Sequence, residues 1–227
     1  KLYLPLILLA ILWAISIHTV TAFLFSANSA RPFWNTSILG PRFLASAFAS
    51  GPALIIVALQ VVRGLMRYPV SQSVIDTLAL IMAISLQINL FFVIAELFTH
   101  FYNEGAHAAS LRYLYLGLNG FHALTPWIWT ALGLNLIAVG MLMIHPLRRH
   151  VVTLNLACGL TILGIWIEKG MGMVVPGFIP TPLGEVFEYS PTLSEMLIAL
   201  GIWALGALIF TLLAKAGTAI ESGQVRA

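Results

Sequence analysis

The sequence predicts an all-α, polytopic membrane protein on three grounds. Charged residues make up 8% of the chain against 60% hydrophobic, with a mean hydropathy of +0.97. Soluble domains carry about 25% charge, so most of this surface must face lipid instead of water. Six apolar segments approach the roughly 20 residues that cross a hydrocarbon core. No strand-like alternation recurs at barrel spacing, and helices and closed barrels are the folds that satisfy every backbone group in lipid.

The first segment, 2–26, is "LYLPLILLAILWAISIHTVTAFLFS". A signal peptide has an apolar core of about 7–15 residues and a small-residue cleavage site. This run is longer and lacks such a site, so it reads as a retained spanning helix. Further spans are expected at 43–65, 74–101, 127–144, 151–175 and 193–214. The fifth closes on the Gly/Pro-rich "GMGMVVPGF". Short turns, "RGLMRYPVSQS" and "HPLRRH", alternate with long linkers rich in Pro and aromatic residues at 28–43, 102–127 and 175–192. Trp34, Tyr113, Tyr115, Trp127 and Tyr189 in these linkers suit the headgroup level.

Charge sets the expected orientation. Lys1, Arg63, Arg67, Arg148, Arg149, Lys215 and Arg226 fall on one side, seven of the eleven Lys and Arg residues. Arg31, Arg42, Arg112 and Lys169 fall on the other, with Glu96, Glu104, Glu168, Glu185, Glu188 and Glu195. The positive-inside rule then puts both termini in the cytoplasm and the long linkers in the periplasm, for a multi-pass protein of the inner (cytoplasmic) membrane. The basic residues are scattered between apolar runs, which excludes a nucleic-acid surface. A single cysteine, Cys158, excludes an intrachain disulfide and any CxxC motif, and reads as a buried, inert thiol.

Ionisable groups inside spans are the candidate functional residues. His18 lies roughly 20 Å into the first helix, and Glu168 and Lys169 roughly 25 Å into the fifth. Glu96 is near the outer end of the third, with His100 one turn beyond. All reach a similar outer-leaflet depth. Ser85, Asn89, Glu96 and His100 follow helical spacing and share one stripe, which should face other helices or a hydrated cavity. Asn89 and Ser85 also fit simple interhelical hydrogen bonding. Glu168 and Lys169 also fit a helix-end anchor, since adjacent residues on a helix point about 100° apart and need not touch. His18 fits an interhelical hydrogen bond, a proton-exchanging group or half of a haem-ligating pair with His100. No helix stacks two histidines at spacing suited to a di-haem cytochrome b, so neither haem nor metal is expected on this chain.

The stretches "SIHTVTAFLFSANSARPFWNTSILGPRFLASAFASGPALI", "RYLYLGLNGFHALTPW" and "GIWIEKGMGMVVPGFIPTPLGEVFEYSPTLSEMLIALGI" resemble the NrfD/PsrC family of membrane quinone-interacting subunits, above all its DsrP and HmcC branch. The resemblance runs from about 15 to 211. It implies a haem-free subunit of a respiratory complex that exchanges electrons between menaquinone or ubiquinone and a periplasmic iron–sulfur ferredoxin-like subunit. Sulfur or sulfate metabolism in anaerobic respiration is the implied setting. It further implies a multihaem cytochrome c, a membrane cytochrome b and a cytoplasmic iron–sulfur subunit as partners. Larger family members have about ten helices arranged as two four-helix bundles, so the chain resembles their C-terminal part. Residues 1–30 would end a preceding bundle, 31–175 form one four-helix bundle, and 176–227 supply a periplasmic loop and a peripheral helix. The better-established quinone site of the family lies in the first bundle, which makes His18 the nearest candidate to it. Glu96, Glu168 and Lys169 would belong to the polar interior of the second bundle and to a proton path, with Asn89 and His100 beside them. The rival expectation is a purely structural anchor for redox partners. A transport role is disfavoured, because no paired broken helices recur in the two halves.

Overall fold

The computed structural model describes residues 3–103 and 106–223. Lys1, Glu104 and Arg226, and position 2 of the first segment, lie outside the described residues. Among the described residues there are eight α-helices: α1 (Tyr3–Ser26), α2 (Leu39–Leu65), α3 (Gln72–Asn103), α4 (Ala106–Tyr115), α5 (Thr125–Met143), α6 (His145–Arg149), α7 (Val151–Lys169) and α8 (Leu193–Glu221). No strand occurs among the described residues, only an isolated bridge between Leu118 and Phe121. Among the described residues six helices are long and apolar enough to cross a membrane. The all-α polytopic class stands.

Boundaries depart from expectation where Pro and Gly read as loop punctuation. α2 starts at Leu39, with Gly40 and Pro41 inside its first turn. Proline is tolerated there because that N–H has no intrahelical partner. The effect is to draw Arg42 into the span. At the other end of the chain, α7 stops at Lys169 and continues as a π-helical turn over Gly170–Val174, then a 3-10 turn over Pro176–Phe178. π-helical turns of this kind are frequently found at functional sites. The linker at 102–127 contains a ten-residue helix, α4. α8 opens with a capping box, Thr192 against Glu195, which satisfies two otherwise orphaned backbone donors.

α2 packs on α3 and α7, and α5 closes the ring against α7 and α3. Alanines at 53, 79, 83, 138 and 157 are buried in the half of this bundle nearest the α2–α3 and α5–α7 connections. Small side chains let helices approach closely where lipid offers no hydrophobic drive between them. That end is called the tight-turn end below. The opposite, capped end holds a second core of Phe33, Trp34, Leu39, Leu111, Tyr113, Leu114, Tyr115, Leu124 and Ile128. α1 lies against α2. α8 buries none of its spanning window, and its Thr218 Oγ1 lies 3.7 Å from Sδ of Met66, the residue that follows α2.

Candidate functional site

Four charged side chains meet inside the bundle just below the capped end. Arg42, in the first turns of α2, donates through Nη1 to Glu96 Oε2 of α3 and through Nη2 to Glu168 Oε1 of α7, the latter at 3.1 Å. Lys169 Nζ stands 3.4 Å from Glu168 Oε1. Two cations thus balance two carboxylates. Balance is required here, because removing a charge from water carries a penalty of several kcal/mol per ion unless a partner and hydrogen bonds offset it. Glu168 is fully buried and also accepts from Asn89 Nδ2 of α3 at 3.0 Å and Asn135 Nδ2 of α5 at 3.2 Å. Each helix of the ring therefore contributes a polar group around one carboxylate.

Lys169 is the quartet member that reaches outward. Its side chain is 20% exposed, against 6% or less for the other three. Its ammonium lies 5.2 Å from the centroid of the Phe43 ring, a cation–π contact. The adjacent pair thus divides its work: Glu168 turns into the bundle and Lys169 edges toward its surface, while the two still touch.

Of the candidates from sequence, Asn89, Glu96, Glu168 and Lys169 come together. His100 is buried one turn beyond Glu96, and its Nδ1 meets the Glu96 carbonyl at 2.7 Å. His18 stands apart: it is half-buried on α1, its Nδ1 2.9 Å from the Ala14 carbonyl of its own helix, and none of the quartet's hydrogen bonds involves it. Two site residues are not among the sequence candidates. Arg42 falls in an expected linker, although a proline in the first helical turn was the available signal. Asn135 is the one Asn in α5, and a polar amide in a spanning helix is itself a signal of interhelical bonding.

The helix contacts around Glu168 are close. A Cβ at Gly164, one turn before Glu168, would overlap the Asn135 amide, its Cγ at 2.9 Å. Gly164→Ala is expected to push Asn135 off Glu168 and destabilise the fold by about 1–3 kcal/mol through overpacking. Detergent-solubilised thermal unfolding checks this, and an unchanged midpoint would contradict it.

The capped end is sealed. Trp34 Nε1 donates to the Met173 carbonyl of the π-helical turn at 2.8 Å, and its ring packs edge-on to Phe178 with centroids 5.0 Å apart. Arg31 Nη1 donates to the Phe178 carbonyl and lies over that ring at 5.0 Å. Glu188 accepts from the backbone N–H groups of His122 and Ala123 at 2.8 and 3.1 Å, tying the long 175–192 segment to the α4–α5 turn. Tyr115 completes the cap, with its carbonyl accepting from Trp129 Nε1 at 3.0 Å. Burial pushes the Tyr115 phenol well above its ordinary range, Arg42 pulls the other way, and Glu96 and Glu168 add to the rise. The phenol stays neutral beside the quartet.

Among the described residues no group of three or more His, Cys, Asp or Glu side chains is placed to hold a metal ion. A shallow apolar groove of about 320 Å³ lies on α1, lined by Leu6, Leu9, Ala10, Trp13, Ala14 and Ile17, none of them a quartet residue.

The chain is similar to a putative membrane subunit of dimethyl sulfoxide reductase from Halobacterium salinarum, at 23% identity over 226 residues. That match covers 86% of this chain and 49% of the relative, so the chain spans about half the length of the curated protein it matches. The family described as polysulphide reductase, NrfD, matches residues 1–178. Matched over most of its length, this chain of six apolar spans belongs to the polysulphide reductase NrfD family.

Proposed function

We propose that this chain is an integral membrane subunit of a redox complex, exchanging electrons between a quinone pool and an iron–sulfur subunit docked on the capped face. The observation that carries this reading is the charge-balanced quartet within the span, with one member, Lys169, open toward the bundle surface. Family membership and the likeness to a reductase membrane subunit support a place beside other redox subunits. Menaquinone or ubiquinone, a periplasmic position for the capped face, and a setting in sulfur metabolism belong to the same proposal. So do a multihaem cytochrome c, a membrane cytochrome b and a cytoplasmic iron–sulfur subunit as further partners.

The residues fit a quinone headgroup. The part-exposed Lys169 ammonium can donate to a carbonyl oxygen, and the Phe43 ring beside it offers an apolar face. A bound quinol supplies two electrons and two protons. Lys169 holds or releases a proton at Nζ, and Glu168 Oε1, 3.4 Å away, is the adjoining acceptor. Asn89 and Asn135 fix the other oxygen of Glu168, and Arg42 holds both carboxylates in place. Water exclusion by the cap strengthens each of these interactions. His18, on α1, stays a candidate for a separate site.

Quinol-dependent electron transfer in the assembled complex tests the reading with Glu168→Gln and Lys169→Met. Losing a positioned proton-transfer group is expected to slow turnover by about 10²–10⁴-fold while the complex still assembles. Wild-type rates in both variants, with assembly intact, would leave the chain as a structural anchor.

A further inference from the structure

α8 buries none of its spanning window, yet near its end Thr218 meets Met66 at the close of α2. Both helices run from the capped end to the tight-turn end, so the faces that meet there can be followed back along each. On α2, Leu59, Ile55 and Phe48 precede Met66 by seven, eleven and eighteen residues. These intervals are close to whole numbers of turns, so the four share a face. Ile55 and Phe48 are each 48% exposed. On α8, Thr211, Ala207 and Leu200 precede Thr218 by the same intervals, and all three are exposed. Two packed helices would cover these faces against each other. Here they stay open above the contact, so an apolar gap lies between α2 and α8, closed at the tight-turn end.

Cations crowd the closed end. Arg63 and Lys215 each lie one turn before the contact, about 4.5 Å toward the membrane interior, and Arg67 directly follows Met66. All three are exposed. Arg63 Nη1 donates to the neutral Gln72 at 3.1 Å, which leaves its charge unbalanced. Arg67 takes a φ of 53° just past the C-cap of α2, a left-handed conformation that helices ordinarily give to Gly or Asn because a Cβ there is strained. A long cation thus stands where glycine would sit without strain. Among the described residues the acids of this end are Asp76 and Glu221. Asp76 is bonded to Gln72 and Arg149, and Glu221 lies one turn past Thr218, further from the membrane interior.

We propose that an anionic diacyl phospholipid fills the gap, its phosphate held by Arg63, Arg67 and Lys215 and its chains running between the uncovered faces of α2 and α8. Charge selects the headgroup, since basic pockets between spanning helices attract and hold anionic lipid. Depth suits the chains: Ile55 lies roughly 16 Å above Met66, about one leaflet of a hydrocarbon core near 30 Å thick. A partner helix in the gap would need carboxylates to meet three cations, whereas a phospholipid brings the charge and the apolar filling together. The lipid joins α8 to the bundle, and this role is independent of the quartet.

Retention of dioleoyl phosphatidylglycerol by the full chain in neutral-detergent micelles, counted by native mass spectrometry, tests the site, with dioleoyl phosphatidylcholine as the comparison. The wild type is expected to keep one phosphatidylglycerol several-fold more strongly than phosphatidylcholine. Arg67→Gly and Lys215→Gln are each expected to lower that retention several-fold and to leave phosphatidylcholine unchanged. Glycine suits the left-handed backbone, so Arg67→Gly is expected to unfold no earlier than the wild type in neutral micelles, which separates lost binding from lost fold. Arg148→Gln, on α6, which packs on α3, α5 and α7, is expected to change nothing. Equal retention of both lipids by the wild type, or undiminished phosphatidylglycerol in either corner variant, overturns the proposal. So does an equal loss in Arg148→Gln, which would reduce the preference to diffuse surface charge. Displacement of the lipid by glycerol 3-phosphate, a headgroup without chains, would overturn the part played by the gap.

Discussion

Arg42→Met is expected to destabilise the folded chain by about 3–5 kcal/mol, the loss seen when one partner of a buried ion pair is removed. The reason lies in what remains. Glu96 and Glu168, 5% and 0% exposed, would keep two negative charges with Lys169 as the remaining cation of the quartet. Methionine fills much of the arginine's volume, so the effect isolates charge from packing. Lysine is a poor substitute, since a point charge cannot serve two carboxylates on different helices as the guanidinium fork does. Unfolding in mixed micelles measures the loss, and a change below about 1 kcal/mol would assign the pair to the low range of exposed bridges. Combining Arg42→Met with Glu96→Leu is expected to recover part of the stability, because it leaves Glu168 and Lys169 as a balanced pair.

Gly177→Ala is expected to open the capped end. A Cβ there would overlap the Trp34 indole, and the indole has no free direction between Phe25, at 4.9 Å, and Phe178, at 5.0 Å. Overpacking of this kind costs about 1–3 kcal/mol. Displacing the ring also breaks its bond to the Met173 carbonyl, and a buried group left unpaired adds about 1–3 kcal/mol more. Tryptophan emission is the direct readout: a shift to longer wavelength marks Trp34 leaving its buried seat, provided the other five tryptophans are replaced by phenylalanine. Unchanged emission and stability would show that the cap does not depend on this contact.

Much of the fold is legible in the sequence because lipid imposes length. A spanning helix must be apolar for roughly 20 residues, so all six spans are readable from composition. Their ends are not. Gly40–Pro41 reads as a turn in isolation, yet it forms the first turn of α2. That ambiguity hides Arg42, on which the whole site turns. α4 escapes notice because ten residues of mixed character carry no spanning signal. Within the site, rise per residue gives depth, and depth brings Glu96, Glu168 and Lys169 to one level. Depth does not say which neighbour a side chain faces. The α3 stripe works because Asn89 and Glu96 are two turns apart on one face. His18 shares their expected depth, but α1 lies outside the ring of four helices and bonds the imidazole to its own backbone.

The quartet answers why charge is spent inside an apolar chain. One guanidinium links α2 to both α3 and α7, and Glu168 links α7 to α5 through Asn135. Those bonds fix the bundle at one level and leave Lys169 as the quartet member nearest the bundle surface, the group to which the proposed function gives proton exchange. A double-mutant cycle between Arg42 and Glu168 tests this most directly, with Arg42→Met and Glu168→Leu made singly and together in mixed micelles. Contacting residues in one network deviate from additivity by about 0.5–3 kcal/mol, and the expected result is non-additivity at the upper end of that range. Single losses that add to within about 0.3–0.5 kcal/mol, as distant sites do, would mean that these two side chains do not meet.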